Sequence, residues 1–361
     1  MTILIDIGHP AHVHYFRNLY HELVSRHELI ITSKSNPNIE KLLTYYGMDY
    51  IPLGDKGKGL CSKLAKQVDF NRSVFRILKS RKVEISMGSS STAVQASMFT
   101  KSKSILFDDD DQAVQPFTKY FVAPFADHIL SPDVLAHEKL KHAIYYPGYQ
   151  ELTYLHPKRF SPDRSVPAKY GVTLGEKYFV LRFNAFNAHH DIGMGGMSMA
   201  QKRQLIALLF KHGKVFITTE KKIDEEFEQY QCPVAPEEMH SFMSQATLFV
   251  SDSQTMTSEA AVLGVPALRC NSFVGRLSVL EEEEKKYGLT YGFLPHQFDW
   301  MLQKIDTLLC MPDLKLQWQE KQKKMLADKI DVTAFWVWFI ENYPRSVTQV
   351  KSPDFDFNRF K

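Results

Sequence analysis

The stretch TLFVSDSQTMTSEAAVLGVP, residues 247–266, carries the side chains best suited to hold an anion. Leu248, Phe249 and Val250 make a short apolar strand, and Ser251, Asp252, Ser253 and Thr255 supply the oxygens expected to cap a following helix. Gly264 is placed to end that helix, and Val265 and Pro266 reopen extended chain. Backbone N–H groups and the dipole at such a helix start favour phosphate. Glu259, four residues after Thr255, shares its face. A carboxylate there repels phosphate unless it is directed at hydrogen-bond donors, and the two hydroxyls of a ribose are donors. The plainer alternative is a strand–turn–helix with a solvated glutamate.

Three histidines, His9, His12 and His14, follow the first apolar run. An imidazole titrating near neutrality can take a proton from a hydroxyl it reaches directly; capping or core roles are the alternative. No nearby carboxylate completes a ligand set, so no metal is expected. Asp108, Asp109, Asp110 and Asp111 follow the fifth apolar run. Adjacent carboxylates repel, so at least one needs a partner such as an acceptor hydroxyl or the histidine loop, unless the run is simply solvated. Arg182 ends a later strand and is followed by Asn184, Asn187, His189, His190 and Asp191. A cation at a strand end facing a helix-start phosphate site neutralises a departing diphosphate; pairing with surface carboxylates is its alternative. The glycines of residues 192–196 are not a Walker sequence, since no GK[ST] follows. Ser89, Ser90, Ser91 and Thr92 read first as helix caps.

These residues must be positioned by apolar runs at 2–7, 29–32, 50–53, 83–87 and 104–107, which alternate with helical patterns. A second series runs through 178–183, 215–218, 248–250 and 267–270. Alternating strands and helices predict an α/β chain of two Rossmann-like domains with parallel, doubly wound sheets, binding ligands at the carboxyl ends of the strands in a cleft between them. The expected division is 1–155, a proline-rich linker at 156–168, 169–330, and a tail at 331–361. The length of 361 residues and 44% hydrophobic content support two cores. Lys and Arg total 44 against 41 Asp and Glu, a net charge of +3, so no nucleic-acid partner is expected. Four cysteines without CxxC spacing, no signal-like start and no long apolar run together predict a cytoplasmic protein.

Residues 56–82 hold nine basic side chains, Lys56, Lys58, Lys63, Lys66, Arg72, Arg76, Lys79, Arg81 and Lys82, against one acid, Asp69. Leu64, Val68, Phe75 and Leu78 recur at helical spacing among them. Such a segment suits peripheral contact with the anionic inner face of a membrane, or a solvated helix face.

The segment SDSQTMTSEAAVLGVP resembles the donor-binding signature of non-hydrolysing UDP-N-acetylglucosamine 2-epimerases and related GT-B glycosyltransferases, where a serine-glycine turn holds the diphosphate and a glutamate the ribose. Ser253 and Glu259 match; Gln254 and Thr255 replace the glycines. HVHYFRNL, beginning at His12, is similar to the GHxxPxxxL segment of inverting GT-B enzymes, with Tyr15 in place of proline. That likeness makes His12 the base that deprotonates the acceptor. Asp109 falls near the position of a catalytic glutamate in the epimerases. Nearly the whole chain resembles the domain-of-unknown-function family 354, through DIGHPAHVHYF from Asp6, YPGYQELTYLHP from Tyr146, LRFNAFNAHHD from Leu181 and the stretch at 251–266.

The resemblance implies a GT-B fold with a last helix, in residues 331–361, that crosses back to the first domain. It implies a nucleotide-sugar donor, UDP-linked, as substrate with no further cofactor. Arg182, Asn184, His189, Ser253, Thr255 and Glu259 would hold the donor, and His12 and Asp109 would act on a glycan or lipid-linked acceptor in cell-envelope or polysaccharide synthesis. The first alternative is a nucleotide-sugar 2-epimerase, but Ser89 stands where those enzymes carry an aspartate. The second is a non-catalytic nucleotide-sugar-binding protein.

Overall fold

A computed structural model describes residues 1–55, 57, 59–183, 195–219 and 223–361. They form two compact units, Met1–Arg159 with Lys329–Lys361, and Phe160–Asp328.

In the first unit, seven strands are β1 (Thr2–Ile7), β2 (Glu28–Ser35), β3 (Tyr50–Asp55), β4 (Ile85–Gly88), β5 (Lys103–Phe107), β6 (His128–Pro132) and β7 (Ala143–Tyr146). They pair in parallel in the order β3-β2-β1-β4-β5-β6-β7. The sequence TILIDI reads as a central strand because Ile3, Leu4, Ile5 and Ile7 are all fully buried, as a sheet covered on both faces requires. The chain moves outward from β1 to β3, then crosses back to β4. The order therefore reverses between β1 and β4, and open α/β sheets bind ligands outside the carboxyl ends of strands at such a reversal.

Five helices follow the first five strands: α1 (Pro10–Leu23), α2 (Pro37–Tyr45), α3 (Leu60–Ser80), α4 (Ser91–Ser97) and α5 (Pro116–Phe121). Gln67 on α3 donates to Thr92 on α4 at 3.2 Å, and Asn71 donates to Gln95 at 2.9 Å. Gln95 in turn donates to the carbonyl of Phe121 at 3.3 Å, which ties α3, α4 and α5 into one face. After residue 328 the chain returns to this unit. Asp331 accepts from Ala334 N–H at 3.1 Å and so caps the helix Val332–Glu341. That helix buries Trp336 completely, with its ring 4.2 Å from Phe107 and 5.8 Å from Phe16.

The second unit has five strands, β8 (Tyr178–Arg182), β9 (Lys214–Thr218), β10 (Leu248–Ser251), β11 (Ala267–Cys270) and β12 (Thr290–Phe293). Their order is β12-β11-β10-β8-β9, again all parallel, and the reversal falls between β8 and β10. A second core of Tyr178, Val180, Phe242, Phe249 and Ala260 holds the strands to the helix Thr255–Val262. The expected α/β class with parallel, doubly wound sheets is what the chain adopts. Among the described residues no helix is long and apolar enough to cross a membrane.

Candidate functional site

The reversal in the second unit brings Arg182, at the end of β8, into register with Ser251 at the end of β10. Asp252 N–H donates to the Arg182 carbonyl at 3.3 Å, so the turn leaving β10 lies directly beside Arg182. The hydroxyls do not cap the helix as the sequence suggests. Its N-cap position is Gln254, which makes no side-chain cap bond. Ser251 Oγ instead accepts from Ser253 N–H at 2.6 Å, and Thr257 Oγ1 donates to the Ser253 carbonyl at 2.6 Å. These bonds curl the turn back on itself and leave the helix start without a side-chain cap. The helix ends as expected: Gly264 takes φ +72°, a left-handed conformation that glycine adopts at little cost.

Glu259 is not a solvated glutamate. It is 5% exposed, and its Oε1 lies 3.1 Å from Nε2 of buried His240 on the helix Met239–Met243. A carboxylate offers about four lone-pair sites, so this bond leaves capacity for further donors. His240 carries no local sequence signal, since HSFM reads as part of an apolar face. The structure thus gathers Arg182, Ser253 and Thr255 at one strand-end reversal with Glu259 one turn deeper. Asn184 and His189 lie outside the described residues, as do Asn187, His190 and Asp191.

In the first unit the three histidines separate. His9 accepts from Ala11 N–H at 3.2 Å and caps α1. His14 is buried and stacks on Tyr154 at 5.3 Å, a core position. His12 Nδ1 accepts from Gly8 N–H at 3.2 Å, which puts the proton of the neutral ring on Nε2. Sequence reasoning assigns His12 as the base; in the structure a proton taken up at Nδ1 would break the bond from Gly8. Ser90 also differs from expectation. Its hydroxyl donates to Asp6 Oδ2 instead of capping α4, while Thr32 donates to Asp6 Oδ1 at 2.9 Å. Asp6 is fully buried at the end of β1.

Tyr15 joins His12 to the acidic run: its ring stacks on His12 at 5.9 Å and its hydroxyl donates to Asp109 Oδ2 at 3.4 Å. The run is not a solvated loop, since Asp108 and Asp111 are buried. Burial pushes the Asp108 carboxyl up to about 7, helped by Asp110, Glu138 and Asp111. Burial also raises Asp109 well above the usual carboxylate range, and Asp110, Glu151 and Asp108 add to it. Asp109 and Asp110 are the half-buried members of this group, and Glu151, which sequence reasoning did not single out, is one of the charged neighbours of Asp109. Among the described residues, Asp111, His137 and Glu138 bring three ligand-type atoms within 4.8 Å of one another. Both carboxylates face the His137 ring, at 3.5 and 3.8 Å, and Glu138 also accepts from Gln112 N–H, the arrangement of an ion pair.

The model of the family described as "Protein of unknown function (DUF354)" matches residues 1–281. An uncharacterised protein of Methanocaldococcus jannaschii is 22% identical over 285 residues, covering 75% of this chain and 82% of its own. Two solved structures are similar over nearly the full length. A UDP-GlcNAc 2-epimerase from Neisseria meningitidis, bound to UDP-GlcNAc, superposes with a TM-score of 0.62 at 11% identity, covering 94% of this chain and 100% of that one. A glycosyltransferase from Rickettsia africae gives 0.56 at 11% identity, covering 96% and 98%. At such identities the likeness establishes the fold, which is of the GT-B type.

Proposed function

The chain belongs to the DUF354 family, and from that premise we propose that it is a glycosyltransferase that uses a nucleotide-linked sugar, UDP-linked, and passes the sugar to a hydroxyl of a glycan or lipid-linked acceptor. The observation that carries this reading is the reversal between β8 and β10, where Arg182 lies beside a helix start with no side-chain cap and a buried glutamate sits one turn in. Backbone N–H groups and the guanidinium suit a diphosphate; Glu259 suits the ribose. Asn184 and His189 are assigned to the donor on sequence likeness alone.

The first unit supplies the acceptor side. The acceptor oxygen attacks the anomeric carbon, the bond from that carbon to the diphosphate oxygen breaks, and UDP leaves with the electron pair. The hydroxyl proton goes to the Asp109 carboxylate, since His12 Nδ1 already accepts from Gly8, and His12 is the alternative base. No cofactor is assigned, and the nucleotide-sugar is a substrate. The epimerase reading is supported by the fold and by the elevated Asp109, and opposed by Ser89 at the aspartate position. Incubation with UDP-N-acetylglucosamine alone, followed by NMR of the anomeric and C2 protons, separates the two. Donor that is consumed only after a glycan acceptor is added is the expected result. A manno-configured product formed at a catalytic rate without acceptor would overturn transfer in favour of epimerisation.

The acceptor is proposed to lie at an anionic membrane surface, in cell-envelope or polysaccharide synthesis. Lys63, Lys66, Arg72, Arg76 and Lys79 of α3 are exposed, with Leu64 and Val68 between them. On the same face, α5 buries none of its residues and exposes Phe117, Tyr120 and Phe121, the last 57%. Aromatic rings beside clustered cations suit the boundary between headgroups and acyl chains, where each cation contributes about 1 kcal/mol. Lys56 and Lys58 lie outside the described residues. Reversing Lys63, Lys66 and Arg72 to glutamate should lower binding to vesicles rich in anionic lipid at least tenfold, and binding should weaken as salt rises. Sedimentation that is insensitive to both would remove the membrane from the reading.

A further inference from the structure

The turn Asp133–Glu138, which follows β6, brings His137 and Glu138 against Asp111 in the loop after β5. Gln112 N–H donates to Glu138 Oε1 at 3.0 Å and joins the two segments. The His137 ring is fixed from its other side. Its Nδ1 lies 3.1 Å from the Val134 carbonyl, which can only accept, so Nδ1 carries a proton. In the neutral ring Nε2 is then a bare lone pair, and it faces Asp111 Oδ1 at 3.5 Å and Glu138 Oε1 at 3.8 Å. Three lone-pair atoms converging in this way repel one another unless a cation lies between them.

A proton on Nε2 is one such cation, but it fits the spacing poorly. An N–H···O bond runs from about 2.7 to 3.2 Å, and both distances exceed that range. Two ligands each about 2.1 Å from a tetrahedral zinc ion lie about 3.4 Å apart, and the three atoms here are within 4.8 Å of one another. A ring held by one N–H on a backbone carbonyl, with the other nitrogen bare, is also how ligating histidines are oriented. A second observation points the same way. Gln112 is 1% exposed and its Nε2 donates to Asp108 Oδ2 at 3.1 Å, yet Oε1 of the same amide has no partner. A buried carbonyl oxygen among carboxylates finds no donor there, and a cation is what suits it. The charges acting on Asp108 are those of Asp110, Glu138 and Asp111, so negative charge accumulates at this edge of the sheet. The Asp111 and Glu138 side chains are 9% and 18% exposed and that of His137 57%, which leaves a way in from solvent on the histidine side.

We propose that Asp111, His137 and Glu138 bind one divalent metal ion, of which zinc is the best match. One imidazole nitrogen and two carboxylate oxygens leave a fourth tetrahedral position for water, whereas magnesium and calcium take sets made of oxygen. The role is structural: the ion ties the loop after β5 to the turn after β6, at the carboxyl ends of two paired strands. None of the histidines that the sequence singles out takes part. The site belongs to the first unit and does not depend on the transfer reading, so either can fail without the other.

The full-length protein, stripped with EDTA and dialysed into a buffer that does not bind metal, is titrated by calorimetry with zinc chloride and, separately, with manganese, magnesium and calcium chlorides. Wild type should bind one zinc ion per chain, more tightly than the other three, with a shift of the His137 ring resonances, identified with His137→Ala. Zinc should also raise the temperature of thermal unfolding by mass action. His137→Ala and Glu138→Gln should each lower zinc affinity at least tenfold and cancel that rise. His212→Ala, which removes an exposed histidine of the second unit, should behave as wild type. Because the His137 side chain is more than half exposed, metal-free His137→Ala should unfold no more easily than metal-free wild type, which separates a lost ligand from a damaged fold. Manganese bound more tightly than zinc, with the same dependence on His137 and Glu138, keeps the site and replaces the ion. A wild-type protein that takes up none of the four metals overturns the proposal. So does zinc that binds both variants as it binds wild type or leaves the His137 resonances unmoved, since that is an adventitious ion only.

Discussion

Asp109→Asn is expected to lower turnover roughly 10²–10⁴-fold, the usual range for a lost proton-transfer group, with UDP affinity unchanged. Asparagine keeps the shape and the bond from Tyr15 but cannot take a proton. Burial is the first cause of the raised Asp109 pKa, and the charges of Asp110, Glu151 and Asp108 follow. A carboxyl held above the ordinary range is a stronger base once ionised, so the wild-type rate should climb as pH rises through that raised pKa. The variant should lose this limb. The same perturbation acts on stability with the opposite sense. A carboxyl whose pKa is raised on folding stabilises the folded state while protonated, fully so below the unfolded pKa, and the stabilisation is lost as pH rises through the folded pKa. Asp108, moved from 3.8 to about 7, should remove up to about 4 kcal/mol across that window, and Asp108→Asn should flatten the decline in denaturant titrations. A rate profile identical in wild type and Asp109→Asn would take Asp109 out of the chemistry.

How much of this was legible in the sequence depended on whether the information is local. Apolar runs such as TILIDI and LFVS sit between turn residues and mark central strands of parallel sheets. β6 and β12 escape the pattern because HILSP and TYGF carry histidine, serine, proline or glycine, and β7 because AIYY has a single aliphatic residue larger than alanine. The strand–turn–helix at 247–266 was visible as a unit, and Gly264 marked its end. Its cap was not, because the turn closes through Ser251 and Thr257 onto Ser253 instead of onto the helix.

Partners that come from other strands or helices were invisible for the same reason. His240 reads as core until it meets Glu259. The tautomer of His12 is fixed by a backbone N–H that no motif encodes. Exposure was equally hidden: PFTKYF carries no local signal that sets it apart, and the structure leaves it unburied. The four aspartates could be read as a partnered group or as a solvated run, and burial, which composition does not show, is what raises the pKa of Asp108, Asp109 and Asp110.

Glu259→Ala is expected to weaken UDP binding by about 1–3 kcal/mol, roughly five- to 150-fold, through loss of the acceptor for the ribose hydroxyls. The side chain is buried and its Oε1 is held by His240, so it is positioned before ligand arrives and loses little rotamer freedom on binding. Truncation also disturbs His240, so a loss of UDP affinity alone would not distinguish a ribose contact from a damaged helix. A cycle with 2′-deoxy-UDP does distinguish them. Wild type should prefer UDP over the deoxy compound, since a carboxylate left facing a missing hydroxyl keeps its desolvation cost. Glu259→Ala should bind the two nearly alike, so that the effects of protein and ligand changes fail to add. Helix damage would weaken both ligands equally and preserve the preference. Calorimetry at fixed salt, with thermal unfolding of each variant as the check on folding, measures all four affinities. A preference for UDP that survives intact in Glu259→Ala would show that the glutamate serves His240 and the fold, and that the ribose is held elsewhere.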